Sequence, residues 1–179
     1  MDGVSDSNPA DRKLFEANGI YWITEAIAQG GYPDEEDCKL LRRGGITHLF
    51  NLDLPYLDGA LFSRMGFSGI VWKPIVDGRP IPKDTLLDCL DALNQALAKD
   101  GTRVYIHCHA GINRSPTILA LFFVACGMPL DDACALIESR SPHAIPAHPA
   151  LCDAQLVDIA VHHGRKNYLP LRRLDILKP

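Results

Sequence analysis

One short segment constrains this chain more than any other. Val104, Tyr105 and Ile106 form a β-favouring apolar run, and Ile118 to Val124 form a helix-like one. Between them stands His107-Cys108-His109-Ala110-Gly111-Ile112-Asn113-Arg114-Ser115. A strand must therefore end, turn tightly through Gly111 and start a helix within nine residues. Such a turn points successive backbone N–H groups into one concavity at a helix N-terminus, which is an anion site. A thiol held there meets positive potential and is expected to ionise at neutral pH. The guanidinium of Arg114, separated from Cys108 by five residues, can grip two oxygens of a phosphate at once. Nucleophile, oxyanion donors and clamp come from the same few residues.

The rest of the chain supplies a scaffold for that loop. Strands are expected at 20–27, 46–52, 69–75 and 103–107. Helices are expected at 34–43, 82–99, 115–126, 130–139 and 149–163. Gln29 to Pro33 reads as a turn, 53–66 as irregular or short helix, and 77–82, with Gly78, Pro80 and Pro82, as a loop. Residues 1–17 read as a loose polar arm, and the tail from Gly164 as extended. Alternating strands and helices predict an α/β fold: a central, largely parallel sheet of four to five strands flanked by helices. In such sheets ligands bind at the carboxyl ends of strands, and the Cys108 loop lies at such an end. One domain is expected over 1–179, with its core at about 18–164.

Composition limits the alternatives. The chain has 179 residues, is 47% hydrophobic and carries a net charge of -4. That suits one core. No basic run exceeds two residues (Arg42-Arg43, Arg172-Arg173), so neither nucleic acid nor an anionic membrane is expected as a partner. The polar, acidic start lacks a signal-type apolar stretch, and no apolar run spans a bilayer. A cytoplasmic monomer is expected. Six cysteines (Cys38, Cys89, Cys108, Cys126, Cys134, Cys152) match no metal-ligand spacing. Neither a metal nor a cofactor is expected, because amides and guanidinium supply the positive charge.

The His-Cys-x5-Arg-Ser segment resembles the signature of the cysteine-dependent protein tyrosine phosphatase superfamily, and the short chain resembles its dual-specificity branch. Gly45-Ile46-Thr47-His48-Leu49-Phe50-Asn51-Leu52 is similar to that branch's first helix-to-strand passage. Trp72-Lys73-Pro74-Ile75-Val76-Asp77 is similar to the strand and loop carrying its general acid. The resemblance covers roughly residues 18–164. It departs at Ile145-Pro146-Ala147-His148-Pro149, where that branch often has a Pro-Asn pair.

Chemistry and resemblance together assign roles. Cys108 is the expected nucleophile, forming a cysteinyl-phosphate intermediate. Arg114 binds the non-bridging oxygens with the backbone of His109, Ala110, Gly111, Ile112 and Asn113. The resemblance implies that His107 shapes the loop and favours the thiolate, and that Ser115 donates to the departing sulfur. A helix N-cap is the alternative for Ser115. Asp77, 31 residues before the nucleophile, is the expected acid for the leaving oxygen, with Asp53, Asp58 and Asp84 as rivals. Arg79, Arg140, His143 and His148 are candidate rim residues. The substrate expected is a phosphorylated protein or small phosphomonoester. A phosphoinositide, phosphoglycan, nucleotide or RNA 5′-phosphate remains open. A phosphate-binding adaptor without turnover, and sulfur transfer or arsenate reduction, are the readings from other classes.

Overall fold

The computed structural model describes residues 9–54 and 59–168. In chain order its elements are α1 (Pro9–Ala17), β1 (Ile20–Trp22), β2 (Ile27–Gly30), α2 (Glu35–Arg43), β3 (His48–Asn51), α3 (Gly59–Arg64), β4 (Gly69–Trp72), α4 (Lys83–Leu97), β5 (Val104–His107), α5 (Arg114–Ala125), α6 (Leu130–Arg140) and α7 (Ala154–Asn167). The five strands form one mixed sheet in the order β1-β2-β5-β3-β4. Only the β1–β2 pair is antiparallel; β2, β5, β3 and β4 run parallel.

Strand alternation builds two cores on the two sheet faces. Ile27, Phe50, Val104 and Ile106 turn to one face and pack with α4, α5, α6 and α7. Ala28, Leu49 and Tyr105 turn to the other and pack with Phe15 of α1, Leu41 of α2 and Phe62 of α3. α5 is buried along its whole length, and beyond Thr117 it is apolar on every side rather than amphipathic. α7 crosses it closely: a Cβ on Gly164 would lie 1.7 Å from the Ala125 carbonyl oxygen.

Register sets the site. Gly30, His107 and Asn51 lie side by side across β2, β5 and β3, and Trp72 pairs with Asn51. Four strands thus end level, and the segments that follow them meet at one edge.

Several boundaries differ from the sequence expectation. Residues 20–27 form not one strand but a tight hairpin. Thr24 Oγ1 accepts from the amides of Ala26 and Ile27, which closes the turn. Gln29 and Gly30 belong to β2, so the turn begins only after them. Residues 9–17 form a helix, docked by Phe15 against the Trp22 ring (5.8 Å, edge-on). β4 stops at Trp72, and α7 begins at Ala154, capped by Asp153, whose side chain accepts from the Leu156 amide. Helix also continues past Gly164 to Asn167. There Tyr168 Oη and His163 Nε2 both contact Asp91 Oδ1 of α4 at 2.7 Å and pin the end.

Candidate active site

The loop after β5 is shaped by what surrounds it. Gly111 has φ +72, and a Cβ there would lie 2.4 Å from the Gly30 carbonyl carbon. Both facts require glycine. The His109 carbonyl accepts from the Tyr32 amide at 2.9 Å and the Ile112 carbonyl from the Ile145 amide at 2.7 Å. Those two bonds tie the loop to the segments after β2 and after α6. Ala110 completes the loop. Asn113 is the N-cap residue of α5, without a side-chain capping bond.

Cys108 is buried, with Sγ 3.5 Å from Ser115 Oγ. Ser115 stands inside the first turn of α5 and caps nothing, because the cap position is Asn113. Its hydroxyl donates to Gln29 Oε1 at 3.1 Å. Arg114 is 5% exposed. Its Nη1 donates to Asp53 Oδ1 at 2.9 Å and to the Ile75 carbonyl at 3.1 Å. Its Nε is buried without a hydrogen-bond partner and lies 3.8 Å from Asp77 Oδ1. One edge of the fork is thus fixed by protein, while Nε still lacks an acceptor.

Asp53 is the residue whose role sequence reasoning missed: it stood there only as a rival acid. Asn51 Oδ1 accepts from the Asp53 amide at 2.7 Å, and Asp53 Oδ1 accepts from the Leu54 amide at 2.8 Å. Asp53 Oδ2 lies 3.3 Å from Nδ1 of the exposed His109. Burial opposes its ionisation. The Leu54 amide and the Arg114 guanidinium outweigh burial, so the carboxyl lies below its ordinary value. The balance favours the carboxylate form of Asp53, which suits a partner for the Arg114 cation better than an acid. Asp77 is different. It is half-exposed on the loop after β4, and its Oδ1 accepts from the Gly78 amide at 3.1 Å. Of the other rivals, Asp84 lies exposed in the first turn of α4, and Asp58 falls outside the described residues.

His107 is fully buried among the rings of Tyr105 (5.7 Å, stacked), Tyr32 (5.6 Å, edge-on) and Phe62 (6.0 Å, edge-on). Burial pulls its value down to about 4, against a smaller opposing pull from the Cys108 carbonyl. It is a neutral wedge under the loop, so any support it gives a thiolate comes from shape and dipole rather than from a positive charge.

The candidate rim residues divide. Arg79 is exposed on the loop of Asp77. His143 lines a cavity of about 310 Å³ that abuts the outer face of the Cys108 loop, together with Tyr21, Tyr32, His109 and Ser141. Arg140 ends α6. His148 shapes the loop before α7: its amide donates to Thr117 Oγ1 at 3.1 Å, and its Nδ1 accepts from the Ala150 amide at 3.2 Å. Ala147 beside it has φ +52, a left-handed conformation that costs Ala more than Asn.

Comparison with known proteins agrees with this geometry. The chain is 31% identical over 148 residues to protein tyrosine phosphatase PRL-1 of Leishmania major, covering 78% of this chain and 81% of that protein. It belongs to the cysteine-dependent protein tyrosine phosphatase superfamily, among its dual-specificity-like members. It is also 32% identical over 101 residues to protein tyrosine phosphatase type IVA 2 of Mus musculus, a match spanning 56% of this chain and 60% of the mouse protein's length. The crystal structure of Tk-PTP in its active form superposes with a TM-score of 0.66 at 18% identity, over 83% of this chain and 98% of that one. No protein-family model matches. The phosphatase fold is thus shared: five strands, four of them parallel, between two helical layers.

Proposed function

We propose that the chain is a phosphomonoester hydrolase that works through a cysteinyl-phosphate intermediate on phosphorylated proteins. One observation carries the reading: at the level ends of four strands, Cys108 shares a buried site with Arg114, whose Nη1 is anchored on Asp53 while Nε still lacks an acceptor. A phosphoryl group supplies the missing acceptor. Cys108 sulfur attacks phosphorus in line, and the P–O bond to the leaving group breaks. The charge on the equatorial oxygens is met by the loop amides and the Arg114 fork. Asp77 gives its proton to the leaving oxygen. Water then attacks phosphorus, its proton passing to Asp77, and the P–S electron pair returns to sulfur beside Ser115.

The surroundings favour an aromatic phosphoester in a peptide. Six large hydrophobic side chains are exposed among the described residues: Leu14, Leu54, Trp72, Val76, Ile112 and Ile145. All but Leu14 adjoin the site. Leu54 and Val76 follow Asp53 and Ile75, Trp72 Nε1 donates to the Asp53 carbonyl at 2.9 Å, and Ile145 is bonded to Ile112 of the loop. Exposed apolar surface in one place marks a contact region. The same reading takes the chain as one catalytic domain and a cytoplasmic monomer, without nucleic acid, membrane or cofactor. The net charge of -4 supports the exclusion of polyanionic partners, and no helix among the described residues is long and apolar enough to cross a membrane.

The test is turnover of para-nitrophenyl phosphate and a phosphotyrosine peptide, beside a soluble phosphoinositol headgroup and a nucleotide. Hydrolysis that favours the peptide and is lost in Cys108→Ser is expected. Peptide binding without turnover would make the chain an adaptor, and preference for the headgroup would change the substrate class.

A further inference from the structure

A buried polar chain leads away from the sulfur. Cys108 Sγ lies 3.5 Å from Ser115 Oγ; Ser115 Oγ donates to Gln29 Oε1 at 3.1 Å; Gln29 Nε2 donates to Ser141 Oγ at 2.5 Å. Gln29, Ser115 and Ser141 are all at most 1% exposed. They come from three elements: β2, the first turn of α5 and the residue after α6. Buried polar groups must be satisfied, but a serine at the end of α6 could have been met in many simpler ways. The chemistry asks more of Ser115. Its hydroxyl has one proton, and in the structure that proton goes to Gln29, away from the sulfur.

We propose that Gln29 is a positioning residue whose side-chain amide sets the direction of the Ser115 hydroxyl and turns over as the sulfur changes charge. With Cys108 as a thiol, S–H donates to Ser115, Ser115 to Gln29 Oε1, and Gln29 Nε2 to Ser141, the polarity of the structure. When the P–S bond breaks and its electron pair stays on sulfur, the Ser115 proton must swing to the sulfur. An amide that did not turn would then present its carbonyl to the Ser115 lone pairs. Turned by half a revolution, it donates Nε2–H to Ser115 Oγ and accepts from the Ser141 hydroxyl through Oε1. The three links from sulfur to Ser141 persist in both states, and no proton leaves the chain except the one on the thiol. An amide suits this task because it offers donor and acceptor from a nearly symmetric end. Donation into Ser115 also strengthens its own donation to sulfur, as hydrogen bonds in a chain polarise one another.

The role rests on the phosphatase reading, and its test separates the two. Gln29→Met keeps side-chain volume and removes both polar ends. With para-nitrophenyl phosphate, kcat is expected to fall roughly fivefold to tenfold, the worth of one hydrogen bond. KM is expected to hold within about twofold, with more phosphoenzyme present at steady state. In a Ser115→Ala background the same change is expected to alter kcat by less than about twofold, because Gln29 acts through the hydroxyl already removed. A purely structural Gln29 would instead impose its full factor in both backgrounds, and that result overturns the proposal. Ser141→Ala probes the chain from its far end and carries the same test if Gln29→Met does not fold. Its effect is smaller and must likewise vanish with Ser115→Ala. No change in either single variant also overturns the role. A wild-type protein that forms no phosphoenzyme overturns the phosphatase reading itself, and the role with it.

Discussion

The loops after two neighbouring strands each carry an aspartate that reaches toward the same guanidinium, and the two carboxyls are held in opposite ways. Asp53, after β3, is nearly buried and bonded to Arg114 at 2.9 Å, with its loop tied by Asn51 and the Leu54 amide. Asp77, after β4, is half-exposed and 3.8 Å from Arg114 Nε, and its Oδ1 accepts from the adjacent Gly78 amide. Residue type therefore does not assign the roles. The number of partners and the access to solvent do. Asp53 is placed to hold the Arg114 guanidinium in one orientation, while Asp77 faces solvent, as the acid proposed for the leaving group must.

Exchange of carboxyl for amide tests that division most strongly at Asp77. Asp77→Asn is expected to lower kcat by about 10²–10⁴ for phenyl phosphate, a poor leaving group, and far less for para-nitrophenyl phosphate. A loss equal for both esters would remove Asp77 as the acid. Asp53→Asn should lower kcat/KM by about 10- to 100-fold, the worth of a charge-assisted bond to the clamp. That loss should be the same for both leaving groups, with vanadate binding weakened in parallel. Leaving-group dependence in Asp53→Asn instead would exchange the two roles.

pH sharpens the comparison through a third group. For Asp53 the partners win over burial, so its folded value is depressed. Its stabilisation is present above the ordinary carboxylate range near pH 4 and is lost as pH falls through the folded value. Urea titrations should show the gap between wild type and Asp53→Asn closing in acid. For His107 burial wins. An unfolded imidazole titrates near 6.5 and the folded one at about 4, so the unfolded chain binds the extra proton between them. Stability should fall by roughly 3 kcal/mol as pH drops across that interval, and His107→Asn should flatten the slope. An unchanged slope would place the acid sensitivity elsewhere.

The smallest effect concerns the loop before α7. Ala147→Asn relieves a left-handed alanine and should raise stability by about 1 kcal/mol, measured as a shift in the urea midpoint with turnover unchanged. A destabilised variant would show that the methyl group is needed where it sits.

Much of this was legible in the sequence, for physical reasons. Strand, nine-residue turn and apolar helix left little freedom around Cys108, and Gly111 marked the place where the backbone turns over. The parallel sheet followed from alternating periodicities. What failed was local. Thr24 closes a hairpin by accepting two amides, which apolar periodicity does not record, so 20–27 read as one strand. Gln29 looked like turn chemistry because it precedes two glycines. Yet Ile27 and Gln29 are two residues apart and therefore on one sheet face, the face covered by α5; that spacing was the available signal. Asp53 gave no local sign of its partner, since it meets Arg114 across 61 residues of chain. The end of α7 was hidden for the same reason, because Asp91, 72 residues before His163, holds it.

The central claim is that phosphorus passes through the Cys108 sulfur. Rapid acid quench of the wild-type protein during turnover of para-nitrophenyl phosphate, followed by peptide mass spectrometry, tests it directly. One phosphoryl group on the peptide containing Cys108, acid-stable and absent from Cys108→Ser, is predicted. Steady product formation with that sulfur unmodified, or with phosphorus on His107, His109 or Ser115, would contradict it.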